Sequence, residues 1–153
     1  MNRTVKLTFT EDGVSALAEL LDDEAPKTAE TIWGLLPLRG KVIHDIWSGP
    51  QLVLHLDNSV KLPAENMLIY HPVAGDLFYY YRPPHYYRGA PYGRVESAEI
   101  GITYGRDSRP QGPRGPKAVN LFGTIMREDL DEFAATAAKM IDEGSKELAI
   151  EQA

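Results

Sequence analysis

Apolar and polar residues alternate with period two over "TVKLTFTED": Val5, Leu7 and Phe9 face one way and Lys6, Thr8 and Thr10 the other, the pattern of a half-buried strand. Gly13 supplies a turn, and "VSALAELLDD" resumes the alternation through Val14, Ala16 and Ala18, although its alanines and leucines also suit a helix. The period lengthens in "EAPKTAETIWGLLP". Ala29, Ile32, Trp33 and Leu36 recur at helical spacing, Pro26 suits a first turn and Pro37 stops the run, which predicts a helix over 26–36. After "LRG", the runs "KVIHDIW" and "QLVLHL" flank "SGP" and predict a hairpin turning at Gly49 and Pro50. "SVKLP", "LFYYYR", "SAEIGITYG" and "KAVNLFGTIM" read as further strands, with turns at Pro72 and Gly75 inside "AENMLIYHPVAGD".

From Glu128 the spacing returns to the helical one, with Leu130, Phe133, Ala134, Ala137 and Ile141 on one face and acidic residues at the start, where they favour the dipole. A C-terminal helix over 128–143, ended by Gly144, is expected. Many short strands with one helix in the N-terminal half and one at the C-terminus predict a mainly β fold. The expected form is one domain over residues 1–153, a closed β-barrel of about eight strands with helical caps rather than βαβ units.

At 153 residues the chain is long enough to bury a core without staples. The absence of cysteine excludes disulfides, thiolate nucleophiles, thiolate zinc sites and iron–sulfur clusters, and fits a reducing compartment. "MNRTVKLTFTEDG" has no apolar secretory core, and no run approaches the length of a bilayer span, so a soluble cytoplasmic protein is expected. The net charge of −6 is unevenly spread: the chain from Arg127 onward is acidic, and Arg82 to Lys117 is arginine-rich. Nucleic acid is therefore not an expected partner, nor is a membrane. A basic loop on an acidic protein suits an anionic ligand, and equally a solvated loop kept soluble by its charge.

Two segments carry a resemblance. "SALAELLDDEAPKTAETIWGLL", with Pro26, Lys27, Thr28, Ala29 and Glu30, resembles the opening of cyclophilins, and "VNLFGTIMREDLDEF", with Leu121, Phe122 and Gly123, resembles their closing strand and helix. The combination of "LLPLRGKVIHDIWSG", "PAENMLIYHPVAGDLFYY" and "NLFGTI" is similar to a group of uncharacterised bacterial proteins with a cyclophilin-like barrel. The resemblance implies a cyclophilin-like fold and carries no activity with it. Active cyclophilins bear Phe-His-Arg on the strand after the first helix; here the same place holds Ile43, His44 and Asp45. A carboxylate accepts hydrogen bonds where the isomerase arginine donates them, and the Gln-Gly-Gly-Asp and Gly-Ser-Gln-Phe-Phe segments are missing, so prolyl isomerase activity is not expected.

Candidate chemistry centres on "KVIHDIWSG" and on "FYYYRPPHYYRGAPYG". A two-residue loop at Gly49 and Pro50 would set Ser48 opposite Gln51, Ile46 opposite Val53 and His44 opposite His55, within reach of a shared proton or metal. A metal would need a third ligand from His71, Asp76 or His85 at no recognised spacing, so neither a metal nor a cofactor is expected. The same pairing sets Asp45 among Ile43, Trp47, Leu52, Leu54 and Leu56 on a drier face. That makes Asp45, with His44, a candidate general base, or else a carboxylate paired with an arginine such as Arg82. Tyr79, Tyr80, Tyr81, Tyr86, Tyr87 and Tyr92 make a stiff amphipathic stretch suited to a flat ligand, to a partner chain, or simply to filling the barrel.

"GRDSRPQGPRGPK" reads as a mobile loop that closes over a site or stays disordered, and it lacks the ending of a phosphate-binding loop. Serine hydrolysis at Ser48 has no visible relay. Glu65, Asn66 and Asp76 mark polar turns. The leading expectation is a small polar or anionic ligand in a barrel-side groove lined by His44, Asp45, Trp47, Tyr79 and Tyr81, with Ser48, His55 and Arg82 also at the site and a loop arginine as counter-charge. The alternatives are a divergent enzyme using Asp45 or His44, and an interaction module using the tyrosine-rich segment. A homo-oligomer is compatible with either, because the C-terminal helix can cap its own barrel or reach a neighbour.

Overall fold

The computed structural model describes residues 2–65 and 68–153. Its elements in chain order are β1 (Thr4–Phe9), β2 (Val14–Leu20), α1 (Pro26–Leu35), β3 (Leu38–His44), β4 (Gln51–Leu56), β5 (Leu68–Ile69), β6 (Asp76–Arg82) and β7 (Ser97–Thr103). There follow β8 (Gln111–Gly112), β9 (Gly115–Pro116), β10 (Val119–Ile125), α2 (Arg127–Ala138), α3 (Met140–Glu143) and β11 (Lys146–Gln152). The ambiguous segment "VSALAEL" is a strand because Ala16, Ala18 and Leu20 are buried at every second position and it pairs along β1 from Thr4↔Glu19 to Phe9↔Val14.

The strands lie in the order β2-β1-β11-β3-β4-β7-β6-β10, all antiparallel, and β10 returns to β2 through Gly123↔Leu20 and Ile125↔Ala18. Among the described residues eight strands thus close a barrel, with the short β5 added beside the start of β10 through Val119↔Ile69 and Asn120↔Leu68. The inward residues Leu7, Phe9, Leu20, Leu52, Ile100, Ile102, Phe122 and Leu148 fill it. Helix α1 covers one mouth with Thr28, Ala29 and Ile32 buried. Helix α2 covers the other, where Phe133 packs on Phe9 with ring centroids 4.8 Å apart.

Four expectations are corrected. The last strand of the barrel, β11, follows the helices, where the sequence pattern predicts no element; it pairs with both β1 and β3. The C-terminal helix is two pieces, 127–138 and 140–143, rather than one over 128–143. "SVKLP" is no strand: Val60 is instead tied to the Tyr79 hydroxyl, and the short β5 lies in the stretch read only as turns. Finally, β3 and β4 are not joined by a two-residue loop. Residues Ile46–Ser48 form a 3-10 turn, and His44 faces Leu52, not His55.

Candidate functional site

The sheet separates the residues expected to share one groove. His44, Asp45, Trp47 and Ser48 lie at the end of β3, level with the Gln51↔Thr103 pair; Tyr81 and Arg82 lie at the far end of β7, level with Ala98 and Ser97. The five steps from Gln51 to Leu56 span about 17 Å at the usual rise of an antiparallel strand. A groove joining His44 to Tyr81 therefore does not form. His55 is displaced as well: it faces outward on β4, paired with Glu99, with its Nδ1 3.9 Å from the carboxylate. Among the described residues no three His, Asp or Glu side chains cluster as a metal set.

At the near end the polar residues hold one another. Ser48 Oγ donates to Asp45 Oδ2 at 2.8 Å and Gln51 Nε2 donates to the same oxygen at 3.3 Å. Gln111 N–H donates to Ser48 Oγ, and buried Ser108 Oγ donates to Gln51 Oε1 and meets Thr103 Oγ1. Asp45 thus fixes the turn that replaces the expected loop. His44 faces into the barrel mouth, with Nε2 2.5 Å from the Tyr104 hydroxyl and Nδ1 buried without a partner. Burial holds its imidazole below the ordinary value, and the nearby Asp45 only partly offsets this. Trp47 was expected on a dry face; it stands on the tip of the turn, 91% exposed.

At the other end Tyr79 points inward. Its hydroxyl donates to Val60 O at 2.5 Å and accepts from Val60 N–H at 3.1 Å, pinning the 57–65 segment. Glu65 anchors the same segment on α1: its carboxylate accepts from the N–H groups of Lys27 and Thr28 and from Thr28 Oγ1, a favourable place for a negative charge. Asn66, its neighbour in that polar turn, lies outside the described residues. Tyr81 donates to Glu96 Oε2. Asp76, the first residue of β6, accepts from Val73 N–H, and burial raises its pKa.

The concave surface lies on the outward side of β6. The "GRDSRPQGPRGPK" segment is ordered as a flap across this face. It is clamped by Ser108 at one end and at the other by Lys117, whose Nζ is 2.8 Å from Glu99 Oε1 and 4.5 Å from the Tyr80 ring centroid. The β8–β9 hairpin within it carries Arg114 to the Tyr86 ring, 4.7 Å from guanidinium carbon to centroid. Tyr86 and Tyr87 meet edge to face at 5.0 Å, Tyr92 lies 5.7 Å from Tyr87, and Arg82 covers the same ring at 5.7 Å.

The result is a cleft of about 730 Å3 between the Pro83–Tyr92 loop and the hairpin tip, continuing into a recess of about 250 Å3 floored by Tyr80 and Lys117. Burial pushes the Tyr80 hydroxyl up to about 12, with Tyr87, Tyr86 and Glu99 adding to it, so it stays a neutral donor. Residues 82–117 contribute seven Lys and Arg against three Asp and Glu, on a chain of net charge −6. The site is therefore aromatic and locally cationic. The tyrosines were visible from composition; Arg114 and Lys117 were not, because only the fold brings the hairpin back onto β6.

Residues 7–151 match one family throughout. The chain belongs to the family described as "Protein of unknown function (DUF3830)". The part matched to DUF3830 contains the whole cleft, the flap and all of the barrel but the outer ends of β1 and β11, so the site lies inside the family's common domain. Among solved structures, "Structure of McbB in complex with tryptophan" is similar with a TM-score of 0.69 at 17% identity, over 97% of this chain and 44% of McbB. The chain thus spans less than half the length of that protein. "Solution structure of the hypothetical protein AF2241 from Archaeoglobus fulgidus" is similar with a TM-score of 0.60 at 18% identity, over 99% of this chain and 95% of AF2241. At these identities the likeness is one of fold, the barrel that the DUF3830 chain shares with both. No curated protein matches the chain. Among the described residues no helix is long and apolar enough to cross a membrane.

Proposed function

We propose that this protein is a cyclophilin-like ligand-binding barrel that holds a small anionic ligand in the tyrosine cleft and has no prolyl isomerase activity. The observation that carries the reading is the meeting of Arg114 with Tyr86 across the cleft. The guanidinium has no hydrogen bond or ion pair among the described residues, and it is held over an aromatic face where its fork remains open to a carboxylate or phosphate. In this reading Arg114 is the loop arginine that supplies the counter-charge, and the tyrosines involved are Tyr80, Tyr86 and Tyr87 rather than Tyr79 and Tyr81. The absence of isomerase activity is supported by Asp45, whose carboxylate serves the turn at the place where an arginine is needed to donate. Solute binding in the cytoplasm, with neither nucleic acid nor membrane as partner, accords with the acidic chain that lacks cysteine.

The test is a thermal-shift screen with small carboxylates and phosphates on the wild type and Arg114→Gln. A ligand at 100 times its Kd adds about 2.7 kcal/mol of stability, which for a domain of this size is a rise of about 5–10 °C in Tm. The expected result is a rise in the wild type that Arg114→Gln abolishes without changing the unliganded Tm. A rise that survives in Arg114→Gln and vanishes in Asp45→Asn would move the site to the β3–β4 turn.

A further inference from the structure

We propose that the recess at the inner end of the cleft selects a planar aromatic monocarboxylate, with Arg114 holding the carboxylate and tyrosine faces holding the ring. The proposal rests on the cleft being the ligand site and adds the ligand class. Its first support is a charge count. The recess is lined by Tyr70, Tyr80, Tyr86, Tyr87, Arg114 and Lys117, so two cations face it and no acid does. Lys117 is already matched: its ammonium lies 2.8 Å from Glu99, and both side chains are only 12% exposed. Arg114 is unmatched. One uncompensated positive charge remains, which suits a single negative charge. A phosphomonoester would bring a second one close to Glu99, where like charges repel strongly in a poorly solvated site.

The second support is the arrangement of the rings. Four tyrosine rings, Tyr70, Tyr80, Tyr86 and Tyr87, line the recess, with Tyr86 and Tyr87 held 69° apart, so an aromatic guest meets rings in more than one orientation. A saturated ring gains contact area there without the quadrupole match. Tyr80, neutral and donating, adds a hydroxyl to the wall without adding charge. The third support is size: the recess of about 250 Å3, below the 300–1,000 Å3 range of drug-sized pockets, takes a group of one or two fused rings, and any larger part of a ligand would lie in the cleft outside it.

Isothermal titration of the intact protein with benzoate, 2-naphthoate, cyclohexanecarboxylate, phenyl phosphate and benzamide tests the proposal. The two aromatic carboxylates are expected to bind, and the other three to bind at least about tenfold more weakly, since each lacks one of the matched features. Arg114→Gln is expected to remove the preference for benzoate over benzamide. Glu99→Gln, by releasing Lys117, is expected to raise affinity for phenyl phosphate relative to benzoate. If that variant fails to fold, Lys117→Met takes its place and, by leaving Glu99 without its cation, is expected to weaken benzoate relative to benzamide.

If phenyl phosphate or cyclohexanecarboxylate binds as tightly as benzoate and loses affinity in Arg114→Gln, the proposed ligand class is overturned while the anion site stands. If none of the five probes binds at millimolar concentration, the proposal and the anion-site reading both fall.

Discussion

Replacing Gly101 by alanine should destabilise the barrel, and the size of the effect follows from one ring. Gly101 sits across from Phe78 on the outward face of β6 and β7, and Phe78 is fully buried beside Leu121 of β10. A Cβ at Gly101 would lie 1.9, 2.2 and 2.4 Å from three carbons of that ring. Carbon atoms in contact normally stand about 3.5–4.0 Å apart, so the ring must withdraw by about 1.5 Å or the strands must part. Overpacking of this kind costs about 1–3 kcal/mol, a loss of about 2–12 °C in Tm for a domain of this size. Phe78→Ala alone should cost about 3–5 kcal/mol through its cavity.

In the double variant the new methyl enters the space the ring has left, so the combined loss should fall short of the sum by at least about 1 kcal/mol. Urea unfolding followed by circular dichroism on the four proteins measures this, provided the denaturant slopes agree. A Gly101→Ala protein within about 0.5 kcal/mol of wild type, or strictly additive losses, would refute the argument that Gly101 exists to admit Phe78.

Other consequences are equally direct. Tyr79→Phe removes both hydrogen bonds to Val60 from a buried place; a loss of about 1–3 kcal/mol is expected, with amide exchange rising over 57–65, and unchanged exchange there would contradict the anchoring role. Thr28→Val strips Glu65 and Asn120 of a shared hydroxyl and should cost about 1–3 kcal/mol by urea unfolding, whereas Thr28→Ser should cost much less. Because burial holds the folded His44 below 6.5, the unfolded chain binds more protons in the window just under that value. The stability contributed by neutral His44 is complete above pH 6.5 and is lost as pH falls toward the folded value, so the drop in stability between pH 7.5 and 5.5 should be smaller in His44→Gln. Asp76 has the opposite sign: its raised carboxyl contributes stability below pH 3.8 that is lost as pH rises through the folded value. Asp76→Asn, which keeps an acceptor for Val73, should therefore be more stable than wild type at pH 7, and a less stable variant would contradict this.

The barrel was legible because period-two alternation is plain in β1, while β4, β6, β7 and β10 are short apolar runs between turns, buried on both faces over part of their length. β11 escaped notice because its first inward residue is Lys146, whose ammonium is satisfied at the barrel mouth by Asp12 and Glu143; a lysine in an inward row hides the pattern. The register of β3 and β4 was misread for a similar reason. Gly49 and Pro50 signal a tight turn, but Asp45, Ser48 and Gln51 bond one another and build a longer one, which moves His55 away from His44. The tyrosines of the cleft stood out by composition alone. Arg82 is close to them in the chain, but Arg114 and Lys117 sit in the flap more than twenty residues later, and no local signal connects Arg114 to Tyr86 before the sheet brings them together.

The most direct test of the central claim is a two-dimensional 15N–1H NMR titration of the intact protein with benzoate. The account predicts shifts confined to amides of residues 80–88 and 111–118, saturating with one dissociation constant and absent in Arg114→Gln. Shifts centred on residues 44–51, or no saturable shifts at all, would contradict it.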